Sequence, residues 1–254
     1  MQKYQKISVL LVVLLVSVFS LNAYASHSWS GYHWGRTENP FTLKLGDNVS
    51  SLWDSYLSTT STDWSLSSVL DTTIVSGNTN PKNCRATLGR VEVCNSKYGN
   101  NGWLGIASIW VNGNHIAQGI VKMNDTYFST PFYNTPAWKN LVMCQEVGHT
   151  LGLDHQDEDF YNAPLGTCMD YTVDPTTNQH PNKHDYDMLE TLYAHLDATT
   201  TVKQSSTLPK PEIDHSNIKD LGKELRKSKD GRVSLHMREF NNGDKIFTFV
   251  FWNN

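Results

Sequence analysis

The stretch that decides the fold runs from Gln145 to His155 and reads QEVGHTLGLDH. Upstream of it, Thr135-Pro136 is typical of a helix start, because threonine caps the first turn and proline suits the first helical position. We therefore predict a helix over Trp138–Leu151. Gly152 predicts the end of that helix, because glycine adopts the left-handed turn at no steric cost.

Four side chains of this stretch suit metal-assisted hydrolysis. Gln145 and His149 lie four residues apart and project from one helix face. The turn at Gly152 brings His155 back toward the same point, and Glu146 is placed to hold a water molecule as a general base. Zinc prefers imidazole ligands and lowers the pKa of a bound water to about 7. The hypothesis is a Zn²⁺ site with His149 and His155 as ligands, Gln145 at the third ligand position and Glu146 as the catalytic base.

Gln145 is the weak point of this hypothesis. A glutamine amide is neutral and offers zinc only its carbonyl oxygen, which zinc accepts less readily than imidazole or thiolate. It either ligates weakly or leaves a two-histidine site that recruits another residue. His180 and His184 are the nearest alternative ligands in sequence.

The signature and the downstream segment Cys168-Met169-Asp170-Tyr171 together resemble the metzincin family of secreted zinc endopeptidases, most closely its matrixin-like branch. The resemblance covers about residues 40–197. It implies an α+β, zincin-like fold with a mixed twisted sheet, an active-site helix, a Met-turn at Met169 beneath the metal and a C-terminal helix. It also implies zinc binding at positions 145, 149 and 155, where this chain has glutamine in place of the family's first histidine.

The N-terminus predicts export. Lys3 and Lys6 precede an apolar run over 7–21, and Ala23-Tyr24-Ala25 is typical of a signal-peptide cleavage site. We expect a secreted or periplasmic protein that has no membrane contact after cleavage. The predicted division is a signal peptide (1–25), a catalytic domain (26–197), a linker rich in Thr, Ser, Pro and Lys (198–216) and a small appendage of one helix and a β-hairpin (217–254).

The mature part contains the four cysteines, and an even count in an exported chain predicts two disulfides. Three pairings are open. We favour Cys84–Cys94, which closes a short loop, and Cys144–Cys168, which joins the residues preceding Gln145 and Met169.

Hydrophobic patterning predicts one helix, several strands and a second helix around the signature. Strong hairpin signals are Asn112-Gly113-Asn114 and Asn241-Asn242-Gly243-Asp244. The predicted strands are 41–45, 71–75, 90–94, 104–111, 116–123, 232–240 and 245–252. Besides the signature helix, we predict helices over 48–64 and 183–196, the second with Leu196 on its apolar face. A charged helix is predicted over 217–229. Residues 127–136 are predicted to be a loop.

The charge and composition indicate which classes of partner to expect. A formal net charge of -4 over 254 residues does not suggest a nucleic-acid or anionic-membrane partner, and we expect neither. We expect a monomer that acts on a peptide or protein substrate, bound in extended form along an edge strand of the sheet. Asp157, Glu158 and Asp159 are a candidate Ca²⁺ site, although an acidic run is more often simply solvated.

Two other functions remain open from the sequence. The chain could be a catalytically weak or inactive binding protein on the same scaffold, because Gln145 weakens the metal site. It could also hydrolyse a non-peptide amide. The hypothesis that the residues favour is a secreted zinc metalloendopeptidase.

Overall fold

The computed structural model describes residues 27–204 and 212–253. The predicted signal peptide and residues 205–211 of the predicted linker lie outside these ranges. Within them, no helix is long and apolar enough to cross a membrane.

The described residues form a mixed α/β structure with one large sheet and few helices. The strands are β1 (His33–Trp34), β2 (Phe41–Asn48), β3 (Leu70–Ser76), β4 (Val91–Ser96), β5 (Trp103–Asn112), β6 (His115–Asn124), β7 (Lys223–Lys227), β8 (Val233–Glu239) and β9 (Lys245–Trp252). The helices are α1 (Asp54–Trp64), α2 (Asp125–Phe128), α3 (Pro136–Thr150) and α4 (Lys183–Leu192), with 3₁₀ turns at Pro175–Thr177 and Ile218–Leu221.

The sheet has the order β3-β2-β4-β6-β5-β9-β8-β7, and β1 pairs with the start of β6. One half of the sheet is parallel and contains the pairs β1–β6, β2–β3, β2–β4 and β4–β6. The other half is antiparallel and contains the pairs β5–β6, β5–β9, β7–β8 and β8–β9. The C-terminal strands therefore extend the main sheet through the β5–β9 ladder.

Helix α3 crosses the sheet over β5 and β6, and α1 packs between α3 and β3. The start of α3 matches the sequence prediction, because the Thr135 side chain accepts a hydrogen bond from the backbone of Trp138 and Pro136 occupies the first turn. The last ten residues of α3, from Leu141 to Thr150, are all buried. The side chains of the signature consequently lie in the interior.

The predicted ends of most elements agree with the structure to within two residues. Strands β5 and β6 form the predicted hairpin, with Gly113 at φ +58, and β9 has the predicted bounds. Both predicted disulfides are present, Cys84–Cys94 and Cys144–Cys168. The two disulfides are consistent with a secreted protein.

Four expectations about elements are wrong. Strand β2 continues through Gly46 to Asn48, because residues 45–48 pair with β4, and so α1 begins only at Asp54. Residues 125–128 form the short helix α2, which Asn124 caps. Helix α4 ends at Leu192 and leaves Leu196 exposed, since the chain turns to bond Arg36 through Asp197.

The predicted charged helix over 217–229 is the fourth error. A 3₁₀ turn ends at Gly222, whose φ is +89, and β7 then pairs with β8. Local periodicity gave the wrong element because the free edge of β8 supplies backbone partners that a sequence window does not contain.

Gly152 lies in the turn after α3, where its lack of a side chain has a steric role that substitution can test. Its φ is +96, and a Cβ there would overlap the carbonyl oxygen of Tyr32. Gly99 has almost the same φ, +95, with nothing within 4 Å of a built Cβ. We predict that Gly152→Ala lowers the free energy of unfolding by about 1–3 kcal/mol more than Gly99→Ala does, because overlap adds to backbone strain. Equal losses in chemical denaturation would show that the close approach to Tyr32 is unimportant.

Candidate active site

Helix α3 and its terminal turn bring the predicted site residues together. Gln145, Glu146 and His149 are buried on α3, and His155 is buried after the turn. The rings of His149 and His155 meet edge to face with centroids 4.4 Å apart. The two predicted imidazole ligands are thus neighbours.

The hydrogen bonds of His149 fix which nitrogen faces the site. Its Nδ1 lies 2.9 Å from the carbonyl oxygen of Leu153. A carbonyl only accepts hydrogen bonds, so Nδ1 carries the proton and the lone pair of the neutral ring is on Nε2. Burial, reinforced by the neighbouring His155, keeps the pKa of His149 well below its usual value, which favours this neutral form.

His155 is held from both sides. Its Nδ1 lies 3.3 Å from Oε1 of Glu158, and its Nε2 lies 2.5 Å from the hydroxyl oxygen of Tyr171. With a carboxylate at Nδ1, that nitrogen donates, and Nε2 accepts the Tyr171 hydroxyl proton. A cation at His155 Nε2 would have to displace the Tyr171 hydroxyl or share it.

Gln145 and Glu146 each expose an unsatisfied oxygen to the interior. The Gln145 amide nitrogen donates to the carbonyl of Cys168 at 2.9 Å, which fixes the orientation of the amide. Among the described residues, neither Gln145 Oε1 nor Glu146 Oε2 has a hydrogen-bond partner. Buried oxygens without a donor are costly, and a cation or water beside them would relieve that cost.

The carboxyl of Glu146 lies in an apolar setting against β5. A Cβ on Gly105 would come within 2.6 Å of both Glu146 Oε1 and a methyl of Val142. Burial raises the pKa of Glu146 well above its usual range. Burial in this closed arrangement therefore favours the neutral form of the carboxyl.

Met169 packs against α3 at Gly148. A Cβ on Gly148 would lie 2.5 Å from the Met169 sulfur and 2.7 Å from the ring of Trp64. The Cys144–Cys168 disulfide joins this turn to the helix one residue before Gln145. Gly148 thereby permits the close approach of the turn to the helix.

The C-terminal strand covers the site. Strand β9 pairs antiparallel with β5, with Phe249 opposite Ala107 and Phe251 opposite Gly105. The alternate residues Phe247, Phe249 and Phe251 point toward α3, and we call them the aromatic cover. The edge of β5 beside α3 is therefore occupied by the chain's own β9.

Each ring of the aromatic cover contacts a different part of the site. Phe249 stacks on His149 with centroids 4.0 Å apart and planes 5° apart. Phe251 meets Tyr171 edge to face at 5.2 Å. At the N-terminal end of β9, the ring centroid of Phe247 lies 4.2 Å from that of Trp29 in the N-terminal segment. A ring stacked on the face of His149 leaves the in-plane Nε2 lone pair uncovered.

Arg226 on β7 forms ion pairs with the residues around His155. It donates to Asp154 Oδ2 at 2.8 Å, and its Nε lies 3.0 Å from Glu158 Oε1. Burial alone would raise the carboxyl pKa values of Asp154 and Glu158. Hydrogen bonds and charges from Arg226 and His155 outweigh burial and hold both pKa values below their usual values.

The alternative ligands lie elsewhere. His180 bonds Asp63 at 2.7 Å, and His184 stacks on His27. Glu158 of the candidate Ca²⁺ site is engaged by Arg226 and His155. Within 27–204 and 212–253, groups that could hold a metal ion are His27/His184/Asp185, His33/His115/Asp197 and Asp154/His155/Glu158.

Sequence reasoning did not identify Tyr171, Arg226 or Phe249 as site residues. Tyr171 follows Met169 by two positions, which was the one local signal available. Arg226 and Phe249 come from a segment more than seventy residues downstream of the signature, and only the sheet pairing brings them near it.

Comparison with known proteins identifies no relative, since neither a family model nor a curated protein matches this chain.

The Arg226 ion pairs should contribute stability that depends on pH. We predict that Arg226→Met lowers the free energy of unfolding near pH 7 by about 1–3 kcal/mol, because Asp154 would remain buried without its partner. The folded-state pKa values of both acids are lowered, so this stability is present above their unfolded values of about 4 and is lost as pH falls through the folded values.

Denaturation across roughly pH 7 to pH 3 measures the effect. The control is Arg85→Met, which removes an exposed pair with Glu212 and should change stability by about 1 kcal/mol at most. A difference between wild type and Arg226→Met that stays constant with pH would contradict the assignment.

Proposed function

We propose that this chain is a secreted zinc-dependent peptidase of metzincin type, whose C-terminal β-hairpin keeps the substrate cleft closed. The observation that carries the proposal is the buried group of Gln145, Glu146, His149 and His155, in which two oxygens have no hydrogen-bond partner within the described part of the chain. The two disulfides are consistent with the exported state.

Three residues of this group carry donor atoms that could hold a zinc ion. His149 would bind through Nε2. The amide nitrogen of Gln145 is used by the Cys168 carbonyl, and its Oε1 has no hydrogen-bond partner among the described residues. His155 Nε2 fits once the Tyr171 hydroxyl yields or joins the ligand set. A bound zinc ion would polarise a carbonyl and lower the pKa of a water molecule.

Glu146 would act as the general base. Its carboxyl lies against Gly105 of β5, so a peptide extended along β5 would pass beside it. Displacement of the aromatic cover would admit water, remove the desolvation that raises the pKa of Glu146, and let the carboxylate accept a proton. Glu146 would then pass that proton to the leaving amine.

The hairpin would regulate access by competition for β5. Strand β9 already uses the backbone groups of β5 that an extended substrate would need. The Arg226 ion pairs add a second attachment between the C-terminal segment and the loop of His155. Substrate and hairpin would therefore be mutually exclusive.

A binding protein without catalysis is the second candidate. The occupied edge of β5, the Phe249–His149 stack and the glutamine at position 145 all favour it. It differs from the first candidate in one consequence, because opening the cleft would then expose no peptidase activity.

We predict that Phe249→Ala increases the cleavage of a fluorogenic peptide library at least about tenfold over wild type. Truncation of a buried phenylalanine costs about 3–5 kcal/mol, and each 1.4 kcal/mol or so lost from hairpin docking raises the open fraction about tenfold. Phe240→Ala, which alters the same hairpin outside the aromatic cover, should leave the rate near that of wild type.

The double variant Phe249→Ala/Glu146→Ala identifies the base. It should cleave nothing measurable while it keeps the zinc content of Phe249→Ala. Equal cleavage by the single and double variants would refute the assigned role of Glu146. A folded, zinc-loaded Phe249→Ala protein without cleavage would favour the binding protein.

A further inference from the structure

A second group of metal-type donors lies outside the candidate active site. His33 on β1 and His115 on β6 are paired residues in the β1–β6 ladder. His195 and Asp197 follow α4 and approach the same point. We call these four residues the histidine cluster.

The donor atoms of the histidine cluster converge on one small volume. Asp197 Oδ1 lies 3.4 Å from His33 Nε2, 3.1 Å from His115 Nε2 and 3.5 Å from His195 Nε2. The Nε2 atoms of His33 and His195 are 3.3 Å apart. All three rings thus present the same nitrogen toward the carboxylate oxygen.

These four separations, out of the six among four donors, are close to those of tetrahedral coordination. Zinc binds histidine nitrogen at about 2.0–2.1 Å and carboxylate oxygen at about 2.0–2.2 Å, so neighbouring donors of a tetrahedral site lie about 3.3–3.4 Å apart. The four distances above lie around this value. The ring plane of His33 makes an angle of 84° with the ring plane of His115 and of 87° with that of His195. The imidazoles therefore approach from different directions.

The orientation of the His33 ring suits metal binding. Its Nδ1 donates to the carbonyl oxygen of Gly31 at 2.8 Å, which fixes the ring. Its Nε2 therefore faces the Asp197 carboxylate and the Nε2 of His195. A ring nitrogen held by a backbone carbonyl on its far side is typical of histidine ligands.

The surroundings hold the ligands in place. Arg36 donates to Asp197 Oδ2 through Nη1 at 2.7 Å and through its backbone nitrogen at 3.1 Å, which leaves Oδ1 for the metal. The Arg36 guanidinium also donates to the backbone carbonyl of His195. Such outer contacts are typical of metal sites, where they fix ligand orientation.

We propose that His33, His115, His195 and Asp197 form a structural Zn²⁺ site. Four protein donors leave no open position, which is typical of structural rather than catalytic zinc. The ion would join β1, the β5–β6 hairpin and the chain after α4. The side chains of His33 and Asp197 are buried. His115 is partly exposed and His195 is exposed, and these two provide the route of entry.

Zinc content of the full-length secreted protein tests the proposal. We expect His115→Ala and His195→Ala each to lose about one zinc equivalent per chain relative to wild type, by mass spectrometry of protein purified without chelator. Added Zn²⁺ should raise the melting temperature of His149→Ala, in which the candidate active site lacks a ligand, but not that of the double variant His149→Ala/His195→Ala. The matched control is His180→Ala, an exposed histidine paired with Asp63, which should keep the wild-type content.

Cobalt substitution gives a second readout that separates this site from the candidate active site. Co²⁺ in the histidine cluster should give the visible absorption of tetrahedral coordination in His149→Ala, and this absorption should be lost in His149→Ala/His195→Ala. Wild-type zinc content in folded His115→Ala and His195→Ala would overturn the proposal. So would a tetrahedral cobalt spectrum that persists in His149→Ala/His195→Ala.

Discussion

The antiparallel pairing of β9 with β5 is the interaction on which the arrangement of this protein depends. Strand β5 would otherwise present an unpaired edge beside the signature helix. Strand β9 satisfies that edge and, through its alternation, directs Phe247, Phe249 and Phe251 onto the site. The burial of Glu146 and His149, and hence the opposite shifts of their pKa values, accompany this cover.

The N-terminal segment, the signature turn and the histidine cluster form one connected region. Trp34, next to His33, donates from its ring nitrogen to the carbonyl of Thr150 at 2.8 Å. The Tyr193 hydroxyl donates to the carbonyl of Leu151 at 2.9 Å. These bonds satisfy carbonyls at the end of α3, which otherwise have no helical partner. A zinc ion in the histidine cluster would therefore stabilise the strand that caps the signature helix.

Features set by nearby residues could be predicted from the sequence. The cap at Thr135, the turn at Gly152 and the hairpin at Gly113 depend on local backbone preferences, and the structure has all three. Features set by distant pairing could not. The charged segment 217–229 has helical patterning but forms β7, because the edge of β8 offers it hydrogen bonds.

The same distinction applies to the sites. The spacing within 145–155 identified the residues that α3 brings together, whereas Phe249 and Arg226 reach them only through the sheet. The ligands proposed for the histidine cluster are spread from residue 33 to residue 197, and His195 and Asp197 alone are close in sequence. No sequence window contains that arrangement, which depends on β1 pairing with β6 and on the turn after α4.

Amide hydrogen exchange along β5 in the full-length protein tests the closed arrangement most directly. If β9 occupies this edge, the amides of residues 103–111 that face β9 should exchange as slowly as those that face β6. Exchange of the β9-facing amides as fast as that of the free edge of β7 would contradict the closed site.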